Sequence, residues 1–423
     1  MSTTRSQSGI FFGWWIVGGA FLIYFVSAGL FNSATVYFKA LTTEFGWSRG
    51  EMSGAFSLGF VIAGVSGPIW GRIADRRGPR SSFLPGALLT GVVCMLLSRI
   101  SDLASLYAVY ILFAFASAGI SLIPLSVLIS SWFVKTRGRA MGIAYTGAGF
   151  GSLALTPVVG VLVASVGWRS AYIVSGLFVL AVLPPIALWM KNKPEDIGLA
   201  PDGVDPSAVV SGPSPGQPGG QEPGSGLSPG EAIKTPVFWL VALTWMTAMM
   251  PLMAVGLHQV PFMTDLGLST ESASLAAGIV GGMSILGRLG CGFLSERYPI
   301  RVIYASCYLV MGAGIASLWA AASYGLPALV LYVVLFGIAI GGSFALTALL
   351  VGHLFGVRAL GAIFGLLGLP ATIGGAIGAT GAGVLFDRAG SYDSVFALCV
   401  ALSVIGAVLM SLVQPPAGRT VRP

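Results

Sequence analysis

The stretch GIVGGMSILGRLGCGFLSER, Gly278 to Arg297, carries one arginine, Arg288, inside a run otherwise built to dissolve in lipid. A charged side chain at the centre of a membrane helix costs at least ~2.5–3.5 kcal/mol on insertion scales, so it marks a function by default. Two structural alternatives stand beside that reading: an arginine snorkelling from a helix end, and one that ties two helices together. The other charges weigh between them. All 15 acidic residues fall in loops, in a linker or at helix ends, and of 22 Lys and Arg only Arg288 lies well inside an apolar run. A structural arginine in lipid is normally paired. An unpaired one wants an anion, and the planar guanidinium matches a carboxylate through two parallel bonds. One buried positive charge suits one negative charge, so the expected ligand is a small monocarboxylate.

The polar company of Arg288 is thin. Asn32 can hydrogen-bond a 2-hydroxyl or 2-oxo group, or equally serve as glue between helices. His258 can titrate near neutral pH and touch substrate or proton, although an interfacial structural role suits it as well as it suits His353. Four cysteines (Cys94, Cys291, Cys307, Cys399) lie scattered in apolar runs without C-x-x-C spacing, as packing residues do. No P-loop accompanies the 60 glycines, which let helices approach closely. Neither a metal nor a cofactor is expected, nor an enzyme, since no Ser/His/Asp or metal cluster falls at membrane depth.

These residues need elements to hold them. The chain is 55% hydrophobic and only 9% charged, against roughly 25% charge in soluble domains. The apolar runs are continuous and of helix length for a ~30 Å core, not the alternating pattern of a barrel. Helices follow because lipid offers no partner to a free backbone amide. Twelve spans are predicted, at 11–37, 51–71, 82–98, 104–131, 139–163, 169–190, 236–260, 270–293, 302–321, 326–354, 361–385 and 391–413. The first is too long for a signal h-region and reads as a retained helix. Pro124, Pro157, Pro251 and Pro370 fall inside spans and suggest kinks. A Pro/Gly/Ser linker, 191–235, separates a six-helix unit at 1–190 from another at 236–423.

Of the basic residues, sixteen lie on the side shared by the termini and the linker, five on the opposite side, and the remaining one is Arg288. That bias puts both termini in the cytoplasm, with the chain in the cell (inner) membrane. It also accounts for the net charge of +7 without nucleic acid. The halves resemble each other: WGRIADRRGPR from Trp70 aligns with CGFLSERYPIR at an offset of 221, and GVLVASVGWRSAYIV from Gly160 aligns with GVLFDRAGSYDSVFAL at 223. Parallel repeats of this kind build transporters, with a site near the bilayer midplane between halves that rock. Under the first offset Arg288 stands where the first half has Gly67, so only one half carries the charge.

GRIADRRGPR, Gly71 to Arg80, resembles the cytoplasmic loop signature of the major facilitator superfamily, and a degenerate copy recurs half a chain later. WFVKTRGRAMGIAYTGAGFG (Trp132–Gly151) and GAFLIYFVSAGLFNSATVYFK (Gly19–Lys39) are similar to signatures of monocarboxylate transporters and their oxalate/formate-exchanger relatives. The resemblance implies an all-α membrane protein of twelve transmembrane helices in two six-helix bundles. It implies that Arg288 holds the substrate carboxylate, that Gly71, Asp75 and Arg76 serve the inner gate, and that Ser284, Tyr24, Tyr145, Tyr332 and Thr347 lie in cavity-lining spans. Two departures stand out. Asn32 replaces a first-helix lysine, and Ser284 replaces an aspartate one turn before the arginine, so the family's Lys/Asp proton relay is absent. Oxalate exchangers carry a second cation on the eleventh helix; 361–385 has none.

The expectation is a proton-coupled symporter of a small monocarboxylate, of lactate or pyruvate size, working by alternating access. The alternatives are a proton-independent carboxylate exchanger and, from another class, a transporter-like membrane receptor.

Overall fold

Apolar runs that must satisfy every amide within lipid become helices, and the computed structural model is helical nearly throughout the residues it describes, 11–134, 136–203, 226–295, 297–356 and 359–414. Most of the linker and the basic residues Arg5, Lys135, Arg358, Arg419 and Arg422 lie outside these. The first half runs α1 (Phe12–Asn32), α2 (Ala34–Phe45), α3 (Arg49–Arg77), α4 (Arg80–Leu97), α5 (Leu103–Ala118), α6 (Leu122–Trp132) and α7 (Arg137–Trp189). After the short α8 (Pro229–Ile233), the second half runs α9 (Pro236–Asp265), α10 (Thr270–Leu294), α11 (Ile300–Tyr324), α12 (Leu326–Phe355), α13 (Leu360–Ala389) and α14 (Asp393–Ser411). Among the described residues, 11 helices are long and apolar enough to cross a membrane. One of them, α7, is two crossings folded about Gly167, which has φ 79° and ψ 161°, a conformation open to glycine. Twelve crossings result.

The structure amends the sequence-based boundaries where polar chemistry overrides hydropathy. The first span continues through α2 to Phe45 because amphipathic ATVYFKALTTEF keeps helical periodicity after a break at Ser33, whose hydroxyl bonds the Gly29 carbonyl at 2.8 Å. The fourth span divides into α5 and α6 around Gly119–Ser121, just before Pro124. At Pro157, Pro251 and Pro370 the helices continue. A capping box opens α3: Ser48 accepts from the Glu51 amide at 3.1 Å and Glu51 accepts from the Ser48 amide at 2.9 Å.

The duplication read from two loops recurs as contacts. A methyl placed on Gly147 or Gly151 of α7 would strike the carbonyls of Phe21 or Phe25 on α1, and one on Gly374 or Gly378 of α13 would strike those of Met246 or Met250 on α9. Where the halves meet, a methyl on Gly160 would strike the Ser274 hydroxyl, and one on Gly383 would strike that of Ser53. The two serines are 221 residues apart and the two glycines 223, the same offsets as the loops. Ser53 donates to the Arg49 carbonyl and Ser274 to that of Thr270, each at 2.6 Å. The fully buried apolar clusters respect the halves: two draw only on residues 16–190, the third only on 232–413.

Two helix pairs form the seam, α7 against α10 and α3 against α13. Both are closed toward the end away from the linker. Toward the linker end the seam opens: a methyl on Gly138, Gly142, Gly292, Gly365 or Gly368 would meet nothing within 4 Å.

Candidate functional site

Along α10, Ser274, Gly278, Gly281 and Ile285 form one stripe at helical spacing, and each touches α7. Small residues on that stripe let the two backbones approach. Arg288 is its next member toward the linker end, and its guanidinium donates to the Tyr145 carbonyl of α7 at 2.6 Å. This bond crosses from one half to the other where the seam gives way to open space. Among the described residues the ion pairs are three, and none includes Arg288. A guanidinium has five N–H donors, so the bond to Tyr145 leaves donors enough to take a carboxylate with two parallel bonds. The Tyr145 ring meets that of Tyr24 on α1 edge to face, with centroids 5.9 Å apart, and Tyr24 lies within electrostatic range of Arg288.

The other expected residues are not all gathered here. Ser284 is buried, packs its backbone against Gly341 of α12 and spends its hydroxyl on the Gly281 carbonyl at 2.6 Å. Tyr332 is 0% exposed inside the second half, and its hydroxyl donates to Gln259 at 2.8 Å. Asn32 lies eight residues beyond Tyr24, ~12 Å of helix rise, and donates to the Ala28 carbonyl at 2.9 Å. It lines a separate cavity of about 150 Å³ between the halves, with Thr35, Ser57, Phe60, Tyr110, Phe113, Tyr172, Leu257 and Gly375 among its walls. Seven of the wall residues are aromatic and none is charged. Arg288 is not among them.

At the linker end, Gly71 packs against Ile123, while Asp75 and Arg76 are exposed on the last turn of α3. Among the described residues Asp75 has no ion pair or hydrogen bond.

His258 is 2% exposed and belongs to a network at the opposite end that the sequence reading missed. Arg49 of α3 pairs with Asp265 and donates to the Tyr392 hydroxyl, and its guanidinium lies 3.8 Å over the Phe386 ring. Lys39 pairs with Asp265 at 2.7 Å. Asp387 accepts from the backbone amides of Arg49 at 2.9 Å and Gly50 at 2.6 Å, capping α3 from the other half. His258 meets the Tyr392 hydroxyl at 2.8 Å through Nδ1, and Ser53 at 3.0 Å and the Ala379 carbonyl at 3.3 Å through Nε2. A neutral ring protonated at Nε2 satisfies every member: Arg49 donates to Tyr392, Tyr392 to His258, and His258 to Ala379 and Ser53. In sequence the participants are charges at the ends of separate helices; the one available signal is that Lys39 and Arg49 belong to the first half and Asp265 and Asp387 to the second.

A family model described as the Major Facilitator Superfamily matches residues 20–322 and 255–423. The chain belongs to that superfamily. It is 26% identical over 380 residues to the MFS transporter asaE of Aspergillus flavus, covering 89% of this chain and 80% of that protein. It is 25% identical over 405 residues to Monocarboxylate transporter 12-B of Danio rerio, covering 91% and 83%. The similarity to both runs through most of the chain. Among solved structures, a bacterial homologue of the human lysosomal transporter Spinster, in an inward-facing and occupied conformation, shares the fold with a TM-score of 0.72 at 15% identity, covering 96% of this chain and 97% of that one. The protein is thus a multi-pass membrane transporter of the facilitator fold.

Proposed function

We propose that this facilitator carries a small monocarboxylate, of lactate or pyruvate size, together with a proton, and that Arg288 holds the carboxylate. The observation that carries the reading is a guanidinium at the seam that, among the described residues, donates one hydrogen bond, to a backbone carbonyl, and enters no ion pair. Units 1–190 and 236–423 rock about the seam while the 191–235 linker joins them. Both termini face the cytoplasm of an inner-membrane protein, so the present state opens inward. The neutral, largely apolar cavity beside Asn32 and Ser57, separate from Arg288, offers a second cation to no dicarboxylate. In the inward-open state Asp75 and Arg76 stand apart; in the outward-open state they close the cytoplasmic end.

A second reading, exchange of one anion for another without a proton, is favoured by the lack of a carboxylate paired with Arg288 among the described residues. Purified protein in vesicles separates the two. Uptake of labelled lactate, pyruvate, formate and oxalate is measured with and without an inward proton gradient. Symport requires lactate or pyruvate uptake to follow the gradient and collapse with a protonophore; uptake driven only by trans-side anion selects exchange.

A further inference from the structure

At the end away from the linker, two carboxylates of the second half sit on positive groups of the first. Asp265 lies on Lys39 and Arg49, and Asp387 on two amides at the N-terminus of α3. When the halves part at this end, these positive groups stay with the first half and both acids leave with the second. Arg49, whose side chain is only 13% exposed with its partner in place, then faces the mouth unpaired. An anion arriving from outside restores what it has lost.

We propose that Lys39, Arg49 and the N-terminus of α3 form a receiving site for a small carboxylate at this mouth, a site that Asp265 and Asp387 occupy in the present conformation. The proposal rests on the reading of the chain as an anion carrier. Substrate and aspartate present the same chemical group, so the incoming acid competes with the latch and favours opening by occupying what the latch vacates. Access exists already: a groove of about 500 Å³ reaches Lys39 between Thr43, Thr264, Ser269 and Thr270, and Lys39 is 33% exposed. Glu44, also on that groove, has its charge engaged by Arg169 and Trp168. The site leads inward as well. Ser57, eight residues below Arg49 on α3 and ~12 Å along it, lines the apolar cavity.

The test uses the full chain in right-side-out vesicles, with Cys94, Cys291, Cys307 and Cys399 replaced by alanine and Thr43→Cys introduced. The cysteine is modified from outside with an impermeant maleimide carrying no net charge, against rising acetate or lactate, with chloride as the control anion. Both carboxylates are expected to protect the cysteine, at lower concentration in Asp265→Asn and at a roughly fivefold higher one when Lys39→Gln removes a charge near the anion. Outside KM for uptake is expected to follow the same order, falling in Asp265→Asn and rising in Lys39→Gln. A latch without a receiving role predicts a different pattern: both substitutions break the Lys39–Asp265 pair, Asp265→Asn the Arg49 pair as well, and both move KM the same way. That result, or no protection in a protein that transports, overturns the site. Because Lys39 is partly exposed, Lys39→Gln alone reads the effect if Asp265→Asn fails to insert. Protection by acetate and lactate in a protein that transports neither upholds the site and counts against the monocarboxylate reading.

Discussion

Asp387→Asn removes one formal charge from the latch and leaves its shape. In the structure both carboxylate oxygens are used, one on the Arg49 amide at 2.9 Å and the other on the Gly50 amide at 2.6 Å. Asparagine keeps one acceptor and loses the charge that favours a helix N-terminus. A hydrogen bond to a charged group contributes ~1.5–3 kcal/mol and the helix-terminus interaction ~0.3–1 kcal/mol, with exposure of Asp387 holding the sum toward the lower end. A loss of ~1–3 kcal/mol multiplies the population open at the far end by roughly 5–150-fold. Ser117 lines the cavity beneath the latch, so Ser117→Cys in a background without native cysteines reports that opening. The rate of its modification by an impermeant reagent added on the far side is expected to rise by that factor in Asp387→Asn. An unchanged rate in a correctly inserted protein refutes the assignment of the latch as what holds this end shut.

Gly151→Ala sets a methyl against the Phe25 carbonyl of α1, whereas Gly365→Ala meets nothing within 4 Å. Overpacking typically costs ~1–3 kcal/mol, so thermal unfolding in detergent is expected to drop for the first and hold for the second; equal shifts contradict the packing argument. Asp75→Asn is expected to lower turnover more than affinity, because Asp75 is exposed at the linker end and acts only when that end closes. A rise in KM at constant turnover removes it from the gate. His258→Gln is expected to keep the rise in uptake as outside pH falls from about 7 to 5, even if the rate changes. With no embedded carboxylate to carry the proton, the substrate's own carboxylate takes it, since a dry cavity disfavours the charged form. Loss of the pH response with binding intact names His258 as the carrier.

The twelve crossings were legible because each is a run of lipid-length apolar residues, and the duplication because two loops kept their spacing. Arg288 was legible for the same physical reason, being the one basic residue deep within an apolar run. What lay beyond reach depended on which helix end meets which. Asp387 and Gly50 are 337 residues apart, and no period or local motif joins them. His258 and Tyr332 are polar residues in apolar helices, equally compatible with a cavity wall and a buried hydrogen bond; packing sends His258 to the latch and Tyr332 to Gln259. The breaks at Ser33 and Gly119 escaped hydropathy because small residues change the mean so little.

The central claim is that Arg288 receives the substrate carboxylate. Its most direct test is labelled lactate uptake into vesicles under an inward proton gradient, compared among the unaltered protein, Arg288→Lys and Arg288→Ala, with insertion checked for each. Lysine keeps the charge but not the fork that holds two carboxylate oxygens, and a charge-assisted hydrogen bond is worth ~1.5–3 kcal/mol. Arg288→Lys is therefore expected to lose roughly ten- to a hundredfold in uptake efficiency, at 1.4 kcal/mol per factor of ten, and Arg288→Ala to lose uptake altogether. Near-normal uptake by a properly inserted Arg288→Ala protein contradicts the account.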